Sequence, residues 1–201
     1  MKGILYAVIG VVVVAVVALG WWYWKLQQAA VQWDSAKEIV YETIEKDGQT
    51  WHIEMHSLIS KPADKVWNAM KQPERAHEFI DSFKKSELKS NEGGKKVVEI
   101  QAQVLTLPTQ TFVIEFTFDE GAKRMMTHTL QGPQDLNGTY ELVPSPDGQK
   151  TLLRYTATAT DKVNIPLPVS AQKGAVKELF VKTVRAIEKG VEDADKKAAS
   201  G

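Results

Sequence analysis

The stretch WHIEMHSLISKPADKVWNAM, Trp51 to Met70, changes its period halfway along, and that change decides the fold. Up to Ile59 the residues alternate: Trp51, Ile53, Met55, Ser57 and Ile59 fall on one face, and His52, Glu54, His56 and Leu58 on the other, the period of a strand. From Ser60 the pattern is helical. Ser60 is placed to cap, Pro62 suits a first turn, where its missing N–H goes unnoticed, and Asp64 complements the positive end of the helix dipole. Val66, Ala69 and Met70 then make an apolar stripe with Trp67 beside it. A strand running straight into a short helix is therefore expected. The order H-x-E-x-H within it invites a metal-site reading. Side chains two apart on a strand stand roughly 7 Å from each other, however, and the wet face of any half-buried strand looks the same. With no cysteine in the chain and only His77 and His128 elsewhere, we expect neither a metal nor a cofactor.

Downstream, Lys71-Gln72-Pro73 ends the helix, because proline disfavours helical backbone in the residue before it. Pro73 opens a second short helix carrying Ala76, Phe79 and Ile80. Strand-like runs follow at Phe83–Ser90, Lys95–Thr106, Gln110–Asp119, Lys123–Gln131, Gly138–Val143 and Thr151–Asp161. Their separators, such as Asn91-Glu92-Gly93-Gly94 and Pro144-Ser145-Pro146-Asp147-Gly148, are turn chemistry. The chain then forms an amphipathic helix with Val176, Phe180, Val184, Ile187 and Val191 on one stripe, and its polar tail from Glu192 is expected to fray.

Upstream, Asp47-Gly48 separates two alternating runs, a hairpin signal, so an additional strand is expected at about 38–45 after a helical stalk to about residue 35. Ile4 to Trp24 is 21 residues without a charge, enough as a helix to cross a hydrocarbon core of about 30 Å. The cluster Trp21-Trp22-Tyr23-Trp24 with Lys25 reads as an interfacial belt. A signal peptide cleaved near Ala18-Leu19-Gly20 is the competing reading. The retained single-pass anchor is preferred because the apolar run exceeds a usual signal core, and the soluble domain is expected on the exported side. The plan is then an anchor at 1–25, a stalk or extra strand at 26–49, a folded domain at 50–192 and a polar tail at 193–201. Lysine plus arginine and aspartate plus glutamate each number 25, so no net field favours nucleic acid, and no nucleic-acid partner is expected.

The order β-α-α-β6-α resembles the START-like or SRPBCC superfamily, which includes polyketide cyclases/dehydrases, lipid transport proteins and the birch-pollen-allergen fold. LISKPADKVWNAM, NGTYELVPSPDGQKTLLRYTAT and KGAVKELFVKTVRAIEKGVE carry the resemblance, over about residues 50–192. It implies an α+β helix-grip fold: a curved antiparallel sheet around the long C-terminal helix with a hydrophobic cavity between them, here preceded by one transmembrane helix. The rows expected to face inward are Ile53, Met55, Ser57, Ile59; Val98, Ile100, Ala102, Val104; Phe112, Ile114, Phe116, Phe118; Met126, His128, Leu130; Gly138, Tyr140, Leu142; and Leu153, Tyr155, Ala157, Ala159. Small residues in these rows leave room for a ligand unless large ones opposite fill it.

The ligand-lining candidates are accordingly Trp67, Ile100, Ala102, Phe112, Ile114, Phe116, Met126, His128, Gly138, Tyr140, Tyr155, Ala157 and Phe180, with His128, Tyr140 and Tyr155 the polar groups among them. Thr106–Thr109, Gln131–Leu136 and Lys162–Pro168 are the expected mouth loops. The expected function is non-enzymatic binding or transport of a hydrophobic small molecule such as a lipid, an isoprenoid quinone or a sterol-like compound, beside a membrane contacted through residues 4–24. Two alternatives stand: a cyclase or aromatase using a pocket histidine or tyrosine, and a protein-interaction module whose core is filled by Trp67, Phe112, Phe116 and Phe180.

Overall fold

The computed structural model describes residues 31–103 and 107–200. The described residues from Ala36 onward form one compact unit. The expected membrane helix at Ile4–Trp24 lies outside the described residues, among which no helix is long and apolar enough to cross a membrane. Residues 31–40 form turns and bends, so the helical stalk does not extend into them.

The hairpin about Asp47-Gly48 is present: β1 (Tyr41–Asp47) pairs with β2 (Thr50–Ile59), and Gly48 makes the turn at φ +58, a backbone region that glycine enters without steric cost. β1 starts later than expected. Ahead of it, Ser57 Oγ donates to the Glu38 carbonyl at 2.5 Å and the Val40 amide to the His56 carbonyl at 2.9 Å.

Helix α1 (Ala63–Met70) follows β2, and Pro62 is itself its N-cap residue. No side chain caps this helix, which corrects the role expected of Ser60. Asp64 in the first turn pairs with Lys123 instead. The second short helix is a 3₁₀ helix, Pro73–Glu78. The meander comprises β3 (Phe83–Glu92), β4 (Lys95–Ala102), β5 (Gln110–Asp119), β6 (Arg124–Gln131), β7 (Gln134–Pro144) and β8 (Thr151–Asp161), and α2 (Val169–Ala199) follows.

All neighbours in the eight-stranded sheet are antiparallel, in the order β1-β2-β8-β7-β6-β5-β4-β3. The β2–β8 pairing joins strands a hundred residues apart, from Thr50↔Thr160 to Ile59↔Thr151. Its inward side chains, with Phe180, Val184, Ile187 and Val191 of α2 and Val66, Trp67 and Met70 of α1, make one apolar core. The curved antiparallel sheet and long C-terminal helix make this an α+β helix-grip fold.

The polar tail does not fray: α2 runs to Ala199. Lys65 on α1 holds the Asp195 carboxylate at 2.7 and 2.9 Å, which ties the last turns of α2 to the body.

α1 occupies one end of the sheet. There the Trp67 ring meets Phe118 edge-on, with centroids 6.0 Å apart, and the indole N–H donates to Glu120 at 2.6 Å. The opposite end carries the β6–β7 turn and the segment from Asp161 to α2, joined by a 2.8 Å bond from the Lys162 amide to the Pro133 carbonyl.

Candidate functional site

The inward wall can be followed strand by strand from the register. Val98 and Ile100 on β4 face Ile114 and Phe112 on β5, while Phe116 and Phe118 continue the row beside Thr127 and Met125 on β6. β7 contributes Gly138, Tyr140 and Leu142, paired with Ala157, Tyr155 and Leu153 on β8. Of the sequence-predicted residues, Trp67, Ile100, Ala102, Phe116, Gly138, Tyr155, Ala157 and Phe180 are buried in this wall or in the helices against it, and Phe112, Ile114 and Tyr140 are half-buried. Val104 and Thr106 lie outside the described residues.

Two of the candidates face the other way. β6 presents Met125, Thr127 and Thr129 to the interior, so Met126, His128 and Leu130 are on the outer face. The expectation of an inward Met126 and His128 is thereby corrected. Met126 is 38% and Leu130 46% exposed, while Thr127 and Thr129 are only 7% and 3% exposed. On the outside, His128 Nδ1 lies 2.7 Å from Asn137 Oδ1. With Glu115, Thr117, Met126 and Thr139 they line a 270 Å³ depression. The cause lies in the pairing: Met125↔Tyr140 and Thr127↔Gly138 on β7, with Phe118↔Met125, Phe116↔Thr127 and Ile114↔Thr129 on β5, turn the same set inward, and the register shift at Val113/Ile114 falls beyond Thr129. Alternation then leaves no choice for the rest of the strand.

Tyr140, Tyr155 and Phe180 form a stack from β7 across β8 to α2, with centroid separations of 4.4 and 6.0 Å. Gly138 makes this possible. A β-carbon there would sit 2.7 Å from Thr127 Oγ1 and 3.1 Å from Tyr155 Cε2, so a side chain would displace the threonine hydroxyl and press on the ring. The two tyrosine rings lie against each other in the interior, and burial pushes Tyr140 up to about 12 and Tyr155 well above its usual value. Both therefore remain protonated at neutral pH.

Because both folded values are raised above the unfolded value of 10.0, the stability they confer is complete below pH 10 and is lost as pH rises through about 12. In an alkaline absorbance titration, two of the five tyrosines should ionise only as the protein unfolds. Ionisation of all five near pH 10 in the folded state would refute the buried pair.

At the loop end the wall closes on a polar cluster that no motif in the sequence announces. Asp161 Oδ2 accepts hydrogen bonds from Lys46 Nζ at 2.8 Å and from Trp51 Nε1 at 3.0 Å, and Oδ1 accepts from Gln134 at 2.7 Å. Lys46 also donates to Gln172 at 3.1 Å, and Gln172 to the Leu167 carbonyl at 2.6 Å. Burial pushes the Asp161 carboxyl up, but its three hydrogen-bond donors outweigh that and hold it below the ordinary carboxylate value. The cluster fixes the Lys162–Pro168 segment and the first turn of α2 to four strands. Around it Val163 and Val169 are exposed, and Leu136, Ile165, Leu167 and Leu107 are half-buried.

The H-x-E-x-H residues stand on the outer face, with His56 Nε2 3.0 Å from Glu54 and its ring against Tyr41 at 4.8 Å. Burial lowers the His56 pKa against the pull of Glu54. Among the described residues no group of three or more His, Cys, Asp or Glu side chains could hold a metal ion.

The sequence profile of one protein family, described as polyketide cyclase / dehydrase and lipid transport, matches residues 50–193. No curated protein sequence matches the chain. Several solved structures share the fold. The Zhui aromatase/cyclase from Streptomyces sp. R1128 is 18% identical, with 71% of this chain and 94% of that one covered at a TM-score of 0.62. A START superfamily protein from Mycobacterium smegmatis is 16% identical, covering 71% and 98% at 0.58. Ara h 8.0201 is 18% identical, covering 72% and 99% at 0.56. At these identities the likeness is one of fold.

Proposed function

The chain belongs to the polyketide cyclase / dehydrase and lipid transport family, and from that premise we propose that it binds or carries a hydrophobic small molecule between sheet and C-terminal helix without transforming it. One observation carries this reading. Phe112, Ile114, Leu136, Tyr140 and Val176 pack against the core from its inner side, yet all remain partly exposed. Interiors normally fill to crystal density, so an inward apolar side chain that still meets solvent borders open space. That space is lined by hydrocarbon and phenol, which suits a lipid, an isoprenoid quinone or a sterol-like guest. Burying such a guest would yield about 25 cal/mol per Å² of apolar area.

The apolar stretch Ile4–Trp24 completes the proposal as a single-pass membrane anchor with the domain on the exported side. A tether raises the effective concentration of the domain where oily ligands reside. Loading would pass between the connectors at the loop end.

Two features weigh against the cyclase reading. His128 is on the outer face, and the two inward tyrosines are held in the protonated state. Neither is placed to accept a proton from a buried substrate at neutral pH.

Native mass spectrometry of the full chain extracted from its own membrane tests the proposal. An uncharged apolar molecule should leave with the protein and be displaced by an added apolar competitor. Repeated recovery of unliganded protein that also takes up no competitor would instead favour an interaction module with a filled core.

A further inference from the structure

β6 could have turned Met126, His128 and Leu130 inward, the more apolar of its two alternating sets. It buries Thr127 and Thr129 in their place, and among the described residues neither hydroxyl has a hydrogen-bond partner. A buried hydroxyl without a partner destabilises the fold, and valine, of nearly the same shape, would remove the penalty. The surroundings are apolar. Thr127 lies between Phe116 on β5 and Gly138 on β7, and Thr129 beside Ile114. The Thr127 oxygen and the Tyr155 hydroxyl both lie within 3.4 Å of the point where a Gly138 side chain would begin. Charged side chains on the inward rows of β2 and β4–β8 are Lys96 and Asp161, at opposite ends, paired with Glu74 and Lys46.

Resting on the reading of this site as an apolar binding cavity, we propose that its ligand is uncharged and bears oxygen, as a ketone, quinone or alcohol on a hydrocarbon frame. The hydroxyls of Thr127 and Thr129 recognise that oxygen. A hydroxyl can donate to a carbonyl, which only accepts, and can do either with an alcohol. A charged ligand would find no counter-charge midway along the wall, because Lys96 and Asp161 are already neutralised. Positions i and i+2 place the two threonines roughly 7 Å apart, so a single oxygen engages one of them and a ligand with oxygens at both ends engages both. A turn about χ1 exchanges a threonine's hydroxyl and methyl positions, which lets a hydroxyl covered in this conformation swing to an arriving oxygen.

The test is a competition between fluorene and 9-fluorenone, which share a frame and differ by one carbonyl. The full chain is held in one detergent, and the ratio of bound probes is read by native mass spectrometry. The wild type is compared with Thr127→Val, Thr129→Val and the double variant, with Thr→Ser at each position keeping the hydroxyl. Unequal partition of the probes into micelles cancels between variants.

The bound ratio should shift from fluorenone toward fluorene by roughly three- to tenfold for the hydroxyl that is lost, with the serine variants near wild type. The unliganded double variant should also melt a few degrees higher, since it sheds two unpartnered hydroxyls. If both probes bind and the ratio ignores the valines, the hydroxyls serve internal water and the inference falls while the apolar site stands. If neither probe binds any variant, the site itself is misread and the inference falls with it.

Discussion

Asp161→Ala should lower the folding free energy by about 3–5 kcal/mol, because it strands a largely buried ammonium and two further donors. The carboxylate is almost fully enclosed and is the common acceptor for Lys46, Trp51 and Gln134. Without it, Lys46 keeps the Gln172 side chain and the face of the Trp51 ring but no counter-charge, and the Trp51 indole N–H loses its partner. The double variant Lys46→Met/Asp161→Leu should recover a large part of the loss, since removing both charges of a buried pair is far cheaper than removing one. Urea unfolding of the wild type, Asp161→Ala and the double variant measures both statements. A single-variant loss below about 1 kcal/mol would show that water screens the pair as at an exposed surface.

The same carboxylate fixes the sign of the acid dependence. Its folded value is held below 3.8, so its contribution is present above about pH 4 and is lost as pH falls through the folded value. Asp161→Asn should therefore flatten the acid limb of the stability curve while leaving the alkaline limb of the tyrosine pair intact.

How far the sequence carries this architecture depends on how strongly each segment contradicts its alternatives. β2 and β8 are legible because their two faces differ sharply: Trp51, Ile53, Met55 and Ile59 against His52, Glu54 and His56, and Leu153, Tyr155, Ala157 and Ala159 against Arg154, Thr156 and Thr158. β6 is not, because Arg-Met-Met-Thr-His-Thr-Leu-Gln offers two alternating sets of similar quality and local hydrophobicity favours the wrong one. Its phase is settled by its partners on the two neighbouring strands, a pairing that no local pattern contains. Thr127 and Thr129 escape a sequence reading for the same reason. The Asp161 cluster assembles residues from 46 to 172, and its only local signal is an acidic residue ending a run of Thr-Ala repeats. At Ser60 the capping signal is real but proline at the N-cap position pre-empts it. The tail after Glu192 is helical, and Lys65, far away in sequence, holds Asp195 on it.

Phe180→Ala should lower the folding free energy by about 3–5 kcal/mol, the usual range for deleting a buried phenyl ring. Phe180 is enclosed on the grip helix and lies nearly parallel to Tyr155, so its removal takes away both the helix's main aromatic contact and the outer support of the tyrosine pair. The size of guest that the vacated space accepts distinguishes a hollow fold from a filled one. In a filled core the new void is sealed, and only a guest about as small as the lost ring can enter it. In a core already open beside Phe112, Ile114 and Leu136, the void merges with existing space, and larger apolar molecules gain volume there. Any guest that binds only the folded state raises its melting temperature in proportion to the logarithm of its concentration over Kd. A panel of aromatic hydrocarbons from benzene to pyrene should therefore stabilise the variant more than the wild type, with the gain increasing toward the larger members. A gain confined to benzene would mean that sheet and helix close upon each other with nothing between.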